Sequence, residues 1–456
     1  MKERRLFANL TIALLIVGIF TALPLVKGQV FVSVGDIEAI LLSPDLRANQ
    51  VYPPGQTFTD FVNGMVAFDQ DIIDVEQLAH PNGKWYGRGV TVAVLDTGLL
   101  PIWNYFFPRN RIITQLGIGF VQDLDTGEIT TVPWDDAVNG HGTHVASTII
   151  GYNYRGVPVT GVAPLAKIIP VKVLSFYDYA SQTAWGTSGM VAAGIDYVTS
   201  LVTSGMLEPG KIIINMSLGS SSLVTDIEDA INRAIKAGVI VVASAGNRGT
   251  AGMGWPGAYP QAISAAWAGW TGQWWPIVNN RENRFFWQND VPEDLMTPAP
   301  ASLYYGEWAG TQAYMSSSSS RALPGQDLDV AAPGALVVGP YWTPAWGPLP
   351  SDPSLAYAYV SGTSMSSPHV AGAAALLAEK KAVKLTQSQM EAVLENTAIL
   401  PPLTYANTAG FPSATLRYMS VYVGIGPVGY YWTQWNDNAV GNGLLQVDAA
   451  VAAVGG

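Results

Sequence analysis

The chain has 456 residues, no cysteine and a formal net charge of −11. Disulfides and thiolate metal sites are excluded, and the acidic balance argues against nucleic acid or an anionic membrane surface as a partner. Charged residues make up 12% and hydrophobic residues 49%, against about 25% charged in an ordinary globular chain. A large core can therefore form without staples, and surface ion-pair networks are not favoured.

Residues 1–5 lean basic, and residues 6–26 are almost wholly apolar before Lys27-Gly28-Gln29. This reads as a signal peptide over residues 1–28, or as a signal anchor if it stays uncleaved. The expected location is secreted or on the outer surface, with membrane contact only through an uncleaved signal. Residues 29–63 are uneven. Phe31-Val32-Ser33-Val34 and Glu38-Ala39-Ile40-Leu41-Leu42 each suit a short element, and Tyr52-Pro53-Pro54-Gly55 suits a turn.

From Val92 the chain takes on an alternating character. Val92-Ala93-Val94-Leu95-Asp96 is an apolar run that ends in a carboxylate, as a buried strand would deliver it. Asn139-Gly140-His141-Gly142 places a histidine at a helix start between glycines. Residues 168–174 read as a strand and residues 189–202 as a helix. Residues 211–215 form an apolar strand that ends in Asn215-Met216-Ser217. Residues 221–237 read as an amphipathic helix stopped by Gly238, and residues 239–244 as the next strand, leading to Ala245-Gly246-Asn247. Such alternation predicts an α/β fold of three layers, a mostly parallel sheet with helices on both faces. Its site belongs at the carboxyl ends of the strands, where Asp96, Ser217 and Asn247 fall.

Gly362-Thr363-Ser364 turns sharply into small, helix-compatible residues. Ser364 then sits at a helix N-terminus, where free N–H groups and the dipole favour an oxyanion. Alone, the tripeptide reads as a helix cap. The order Asp96, His141, Ser364 makes it the nucleophile of a catalytic triad. His80, His144 and His369 read as surface, packing or hydrogen-bonding residues, since no zinc pair with its glutamate is present. Asp123, Asp125 and Glu128, and also Asp135 and Asp136, form acidic clusters. Solvated loops are the favoured reading, with calcium as the alternative. The sequon at Asn215 lies at a strand end and is a poor acceptor.

Together the three motifs resemble the subtilisin-like serine peptidases, the subtilases, over about residues 74–453. The resemblance implies a serine endopeptidase acting on protein or peptide substrates through an acyl-enzyme, with no cofactor for catalysis. It implies that Asn247 and the Ser364 N–H stabilise the oxyanion. It places the pocket for the residue before the scissile bond between Ser217-Leu218-Gly219 and Ser244-Ala245-Gly246, with Gly254 at its base. No carboxylate occurs in these stretches, so large apolar residues should be preferred to Lys or Arg. A short helix over 71–79 should lead into the first core strand.

The chain departs from the family at five places. Residues 29–63 are short for a folding prosegment and form a short prosegment or N-terminal extension, leaving 64–456 as the catalytic domain. The calcium-ligating carboxylate that many subtilases carry after the triad aspartate is missing from Leu99-Leu100-Pro101-Ile102-Trp103-Asn104, and residues 151–156 keep Asn153 but add Arg155. A structural calcium would need another seat. Aromatic insertions at about 268–315 and 401–438 read as satellite clusters, and Ser316–Ser320 as a polar strand or loop. An esterase would want a Gly-x-Ser-x-Gly elbow, which is absent around Ser364. A non-catalytic module would not keep the triad.

Overall fold

The computed structural model describes residues 30–34, 38–41, 58–75, 84–270, 313–316, 318–381, 384–399, 415–422, 427–434 and 437–455. The expected export signal, the turn at Tyr52, His80 and most of both aromatic insertions lie outside the described residues.

In chain order the first half comprises β1 (Phe31–Ser33), β2 (Glu38–Leu41), α1 (Phe68–Asp71), β3 (Thr91–Asp96), α2 (Trp103–Phe106), β4 (Ile118–Gln122) and β5 (Ile129–Val132). There follow α3 (His141–Ile150), β6 (Tyr152–Tyr154), β7 (Val157–Val159), β8 (Lys167–Lys172), β9 (Phe176–Asp178), β10 (Thr183–Thr187), α4 (Ser188–Thr203), β11 (Ile212–Met216) and α5 (Thr225–Lys236). The second half comprises β12 (Ile240–Ser244), β13 (Ile263–Trp270), β14 (Ala313–Met315), β15 (Val330–Pro333), β16 (Val337–Pro340) and β17 (Tyr357–Ser361). It closes with α6 (Thr363–Lys380), α7 (Gln387–Thr397), β18 (Thr415–Tyr422), β19 (Pro427–Gln434), α8 (Asp437–Val440) and α9 (Val447–Ala453).

Nine strands form the central sheet, in the order β14-β13-β12-β11-β3-β8-β4-β5, with β15 also on β13. Pairing is parallel throughout except where β14 and β5 join antiparallel at the edges. This is the expected three-layer α/β sandwich. β3 shows why its sequence is apolar at every position. Val92 and Val94 join the core beneath α3 and α6, while Ala93 and Leu95 join the core beneath α4 and α5. Both faces of the strand are dry, so alternation with polar residues is lost. Burying each Val or Leu stabilises by about 1.5–3 kcal/mol.

Some boundaries differ from those expected. Helix α5 begins at Thr225 rather than Ser221, because the Tyr259 hydroxyl accepts from Val224 N–H (3.0 Å) and donates to its carbonyl (2.6 Å). The short helix before β3 is Phe68–Asp71, and Asp74 ends its turn at φ 59°. Ser316, Ser319 and Ser320, in the stretch read as a polar strand or loop, are buried. Ser319 Oγ accepts from Trp267 N–H (3.0 Å), and Ser320 Oγ from Arg248 N–H (3.0 Å).

The N-terminal strands belong to the body of the fold. β1 pairs antiparallel with β10, and Ser33 also bridges to Gly219; β2 pairs antiparallel with β17. Phe61 is fully buried, and Met65 bridges to Val159, so the stretch around the 63/64 boundary packs continuously onto the domain. Among the described residues no helix is long and apolar enough to cross a membrane.

Candidate active site

β3 ends on Asp96, and α3 begins on His141. Nδ1 of His141 lies 2.8 Å and 2.9 Å from the two carboxylate oxygens of Asp96. Both side chains are wholly inaccessible to water. The loops around them are stitched together. Thr97 N–H donates to Asp96 Oδ1 (2.6 Å), and the Thr97 hydroxyl donates to Asn139 O (3.0 Å) while accepting from Gly142 N–H (2.9 Å). Asn139 Oδ1 accepts the first free helical N–H, that of His141 (2.8 Å). Gly142 is required by the close approach: a Cβ there would lie 2.4 Å from the Gly98 carbonyl. A carboxylate held this way fixes one imidazole nitrogen as donor and leaves the other for proton transfer.

Ser364 is the second residue of α6, and its hydroxyl donates to the Ser217 carbonyl at 3.3 Å. Four residues on stands Pro368, inside the helix. A proline has no N–H to offer the carbonyl four residues back. The Ser364 carbonyl is served instead by the Ser217 hydroxyl, 2.8 Å away. That hydroxyl also accepts from Asn215 Nδ2 (3.0 Å) and meets Ser367 Oγ (2.8 Å), which donates to Asn215 Oδ1 (2.9 Å). All three side chains are fully buried. Ser217 was expected as a pocket wall; its side chain is committed instead to Ser364 O, Asn215 and Ser367. Proline at the fourth position after the serine was the one sequence signal for this network. Asn215, locked here, is out of reach as a glycosylation acceptor.

Asn247 follows β12. Its Oδ1 accepts from both the N–H (2.9 Å) and the hydroxyl (3.0 Å) of Thr363. With the oxygen committed, the amide nitrogen is the atom able to donate beside Ser364. Gly362, at φ 149°, passes so close that a Cβ would lie 3.0 Å from Asn247 Nδ2. The expected pocket stretches also come together. Ser220 and Trp255 exchange backbone hydrogen bonds (2.8 and 3.0 Å), Gly254 N–H donates to Ala245 O (2.9 Å), and Gly246 N–H donates to Thr363 Oγ1 (3.1 Å). Leu218, Ser244 and Ala245 are buried, and Gly219 bonds to Ser33.

The loops read for calcium are otherwise engaged. Both ends of the Asn153 amide are used, on Tyr105 O (3.1 Å) and Gly156 N–H (2.8 Å). The Arg155 guanidinium donates to Ser354 O (2.9 Å) and lies 5.0 Å from the centre of the Tyr154 ring. A cation already occupies this corner, so calcium does not fit there. Asp123 Oδ1 accepts from the N–H groups of Thr126 (2.8 Å) and Asp125 (2.9 Å), which hold its carboxyl below the usual range, Thr126 first. Asp136 pairs with Lys172 at 2.6 Å. These are loop contacts. His144 bonds the Val337 carbonyl (3.0 Å), and His369 lies between Met365 O (2.7 Å) and Asp69 Oδ2 (3.1 Å), as structural histidines do.

Comparison with known proteins finds relatives of this chain. The model of the subtilase family matches residues 87–441. Subtilisin Savinase of Lederbergia lenta is 33% identical over 320 residues, which is 70% of this chain and 87% of that protein. The thermostable alkaline protease of Halalkalibacterium halodurans is 31% identical over 374 residues, 82% of this chain and 75% of that one. Among solved structures, fervidolysin from Fervidobacterium pennivorans superposes with a TM-score of 0.56 at 22% identity. That match covers 92% of this chain and 51% of fervidolysin, and it bears on the fold.

Proposed function

The chain belongs to the subtilase family and is a serine endopeptidase, and on that footing we propose that Asp96, His141 and Ser364 are its triad. Ser364 Oγ leaves the Ser217 carbonyl and attacks a peptide carbonyl. His141 takes the proton and returns it to the leaving amine, while Asp96 orients the ring and stabilises its charged form. The oxyanion is met by Asn247 Nδ2 and the Ser364 N–H. Water then releases the acyl group. The observation that carries this reading is the dry double contact of His141 Nδ1 on Asp96.

Catalysis by this route needs no cofactor, and a structural calcium would have to sit away from Asn153 and Arg155. The pocket formed by Leu218, Gly219, Ala245, Gly246 and Gly254 holds no acid, so a large apolar side chain gains by burial there and Lys or Arg is left unpaired. The apolar stretch at residues 6–26 supports export.

Fluorophosphonate labelling combined with casein digestion tests the assignment. Labelling and digestion should both occur, and Ser364→Ala should abolish them, with turnover falling about 10⁶-fold on the scale known for the subtilisin triad. A variant that keeps a tenth of the activity rules Ser364 out. In a matched peptide series, kcat/KM should be higher for Phe than for Arg before the cut bond.

A further inference from the structure

We propose that Asp69 and His369 form a second aspartate–histidine pair, sealed from water, which holds one trapped proton and positions the turn that carries Ser364. The proposal rests on the peptidase reading above. It comes from matching donors to acceptors around a histidine that the reaction does not use.

His369 is wholly buried in α6, and Asp69 is buried in α1, 300 residues earlier. Nδ1 of His369 lies 2.7 Å from the Met365 carbonyl, and Nε2 lies 3.1 Å from Asp69 Oδ2. A carbonyl oxygen only accepts, so Nδ1 carries a proton. An ionised carboxylate also only accepts, and a neutral imidazole has a single N–H. With the ring neutral and the acid ionised, two lone pairs would meet across the Nε2–Oδ2 contact in a dry site. One further proton between these atoms removes the conflict. It also makes the pair neutral as a whole, the state in which burial costs least. Imidazole is the stronger base of the two free groups, so the ring holds the proton and the pair is imidazolium and carboxylate.

The surroundings offer no other cation. Among the described residues the one ion-pair partner of Asp69 is His369, with Gln70 Nε2 at 3.5 Å from Oδ2. The titratable neighbour is Tyr152 of β6, whose buried hydroxyl has no hydrogen-bond partner. Burial first, and then the charge of Asp69, push that hydroxyl well above its usual range. It therefore stays neutral beside the pair.

At the proposed triad, Asp96 meets Nδ1 of His141 alone. In His369 both ring nitrogens are committed, so this ring is a clamp and not a base. Its place gives the clamp its effect. Pro368 removes the helical donor from the Ser364 carbonyl, and the Ser217 hydroxyl takes over. The next carbonyl, that of Met365, receives the His369 ring. The two peptide groups that follow the Ser364 Cα are thus each held by a side chain, the second by a charged donor tied back to α1. A charge-assisted hydrogen bond is about twice as strong as a neutral one. His369 and Asp69 are positioning residues for the nucleophile.

The test reads the proton first. In the full chain carrying Ser364→Ala, which cannot cut itself, ¹⁵N-labelled histidine is observed by NMR at pH 7. Both ring nitrogens of His369 should show the protonated signature. Asp69→Asn keeps the shape and can donate to a bare nitrogen, so it should turn one of the two signals into the bare form. In the active chain the same substitution should lower kcat about tenfold, the step between a charged and a neutral donor, and leave KM within about twofold. A bare ring nitrogen on His369 in the parent chain would overturn the proposal, and so would an unchanged kcat in Asp69→Asn. The NMR readout does not depend on catalysis. Failure of the peptidase reading shows elsewhere, as a parent chain whose Ser364 takes no fluorophosphonate.

Discussion

Two aspartates stand at strand ends in this molecule, each buried and each held by a backbone N–H at 2.6 Å. Asp96 ends β3 and is held by Thr97; Asp329 precedes β15 and is held by Ser264. They differ in what stands opposite. Beside Asp96 is the His141 imidazole. Around Asp329 are acids: oxygens of Asp327, Asp329 and Glu391 lie within 4.8 Å of one another. Burial pushes the Asp329 carboxyl up to about 7; the Ser264 N–H and hydroxyl oppose this, while Glu391 and Asp327 add to it. Glu391 is also pushed up to about 7, by burial first and then by Glu395 and Asp327. The same side chain thus does opposite work according to its partner. One holds an imidazole nitrogen; the other keeps its proton in the pH range where carboxylates are normally ionised.

The largest break in this comparison is in activity. Asp96→Asn keeps the shape but alters the imidazole's partner, and kcat should fall about 10⁴-fold. Asp329→Asn should leave kcat within a few fold. Steady-state kinetics with titrated active sites decides it, and an equal loss in both would erase the distinction.

A neutral donor on the other side of the nucleophile sharpens the point. Asn247→Leu removes the amide but keeps the volume. Turnover should drop about 10²–10³-fold, the subtilisin scale for this donor. An unchanged kcat would take Asn247 out of the oxyanion site.

The smallest effect is on stability. Between about pH 4 and pH 7, folded Asp329 keeps a proton that the unfolded chain has released. Stability therefore declines as pH rises through that window, by about 4 kcal/mol at most, and stays lower above it. Asp329→Asn should flatten this slope and melt above its parent at pH 8. Both chains should carry Ser364→Ala to prevent autolysis. Parallel melting curves from pH 4 to pH 8 would show that Asp329 releases its proton as an ordinary acid.

The proposed triad could be read because each member carries a local signature: an apolar run before Asp96, glycines around His141, and a glycine turn before Ser364. The alternation of strand and helix was legible for the same reason. What escaped depends on contacts between distant residues. Asp329 carries no local sign of Glu391, which reaches it from 62 positions away. The start of α5 depends on Tyr259, and the pairing of β1 with Gly219 joins residues 186 apart. Ser217 was read only as a pocket wall, because the consequence of Pro368 appears only when β11 and α6 lie side by side.

That last arrangement links two positions in heredity as well as in space. Replacing Pro368 by Ala would supply an N–H for the Ser364 carbonyl, in competition with the Ser217 hydroxyl. Replacing Ser217 by Ala while the proline remains would strand a buried carbonyl, at a cost of about 1–3 kcal/mol. The order of change therefore matters. A lineage that alters residue 368 first keeps a satisfied nucleophile throughout, whereas one that alters residue 217 first must cross a weakened intermediate, so the two sites are epistatic although 151 positions apart.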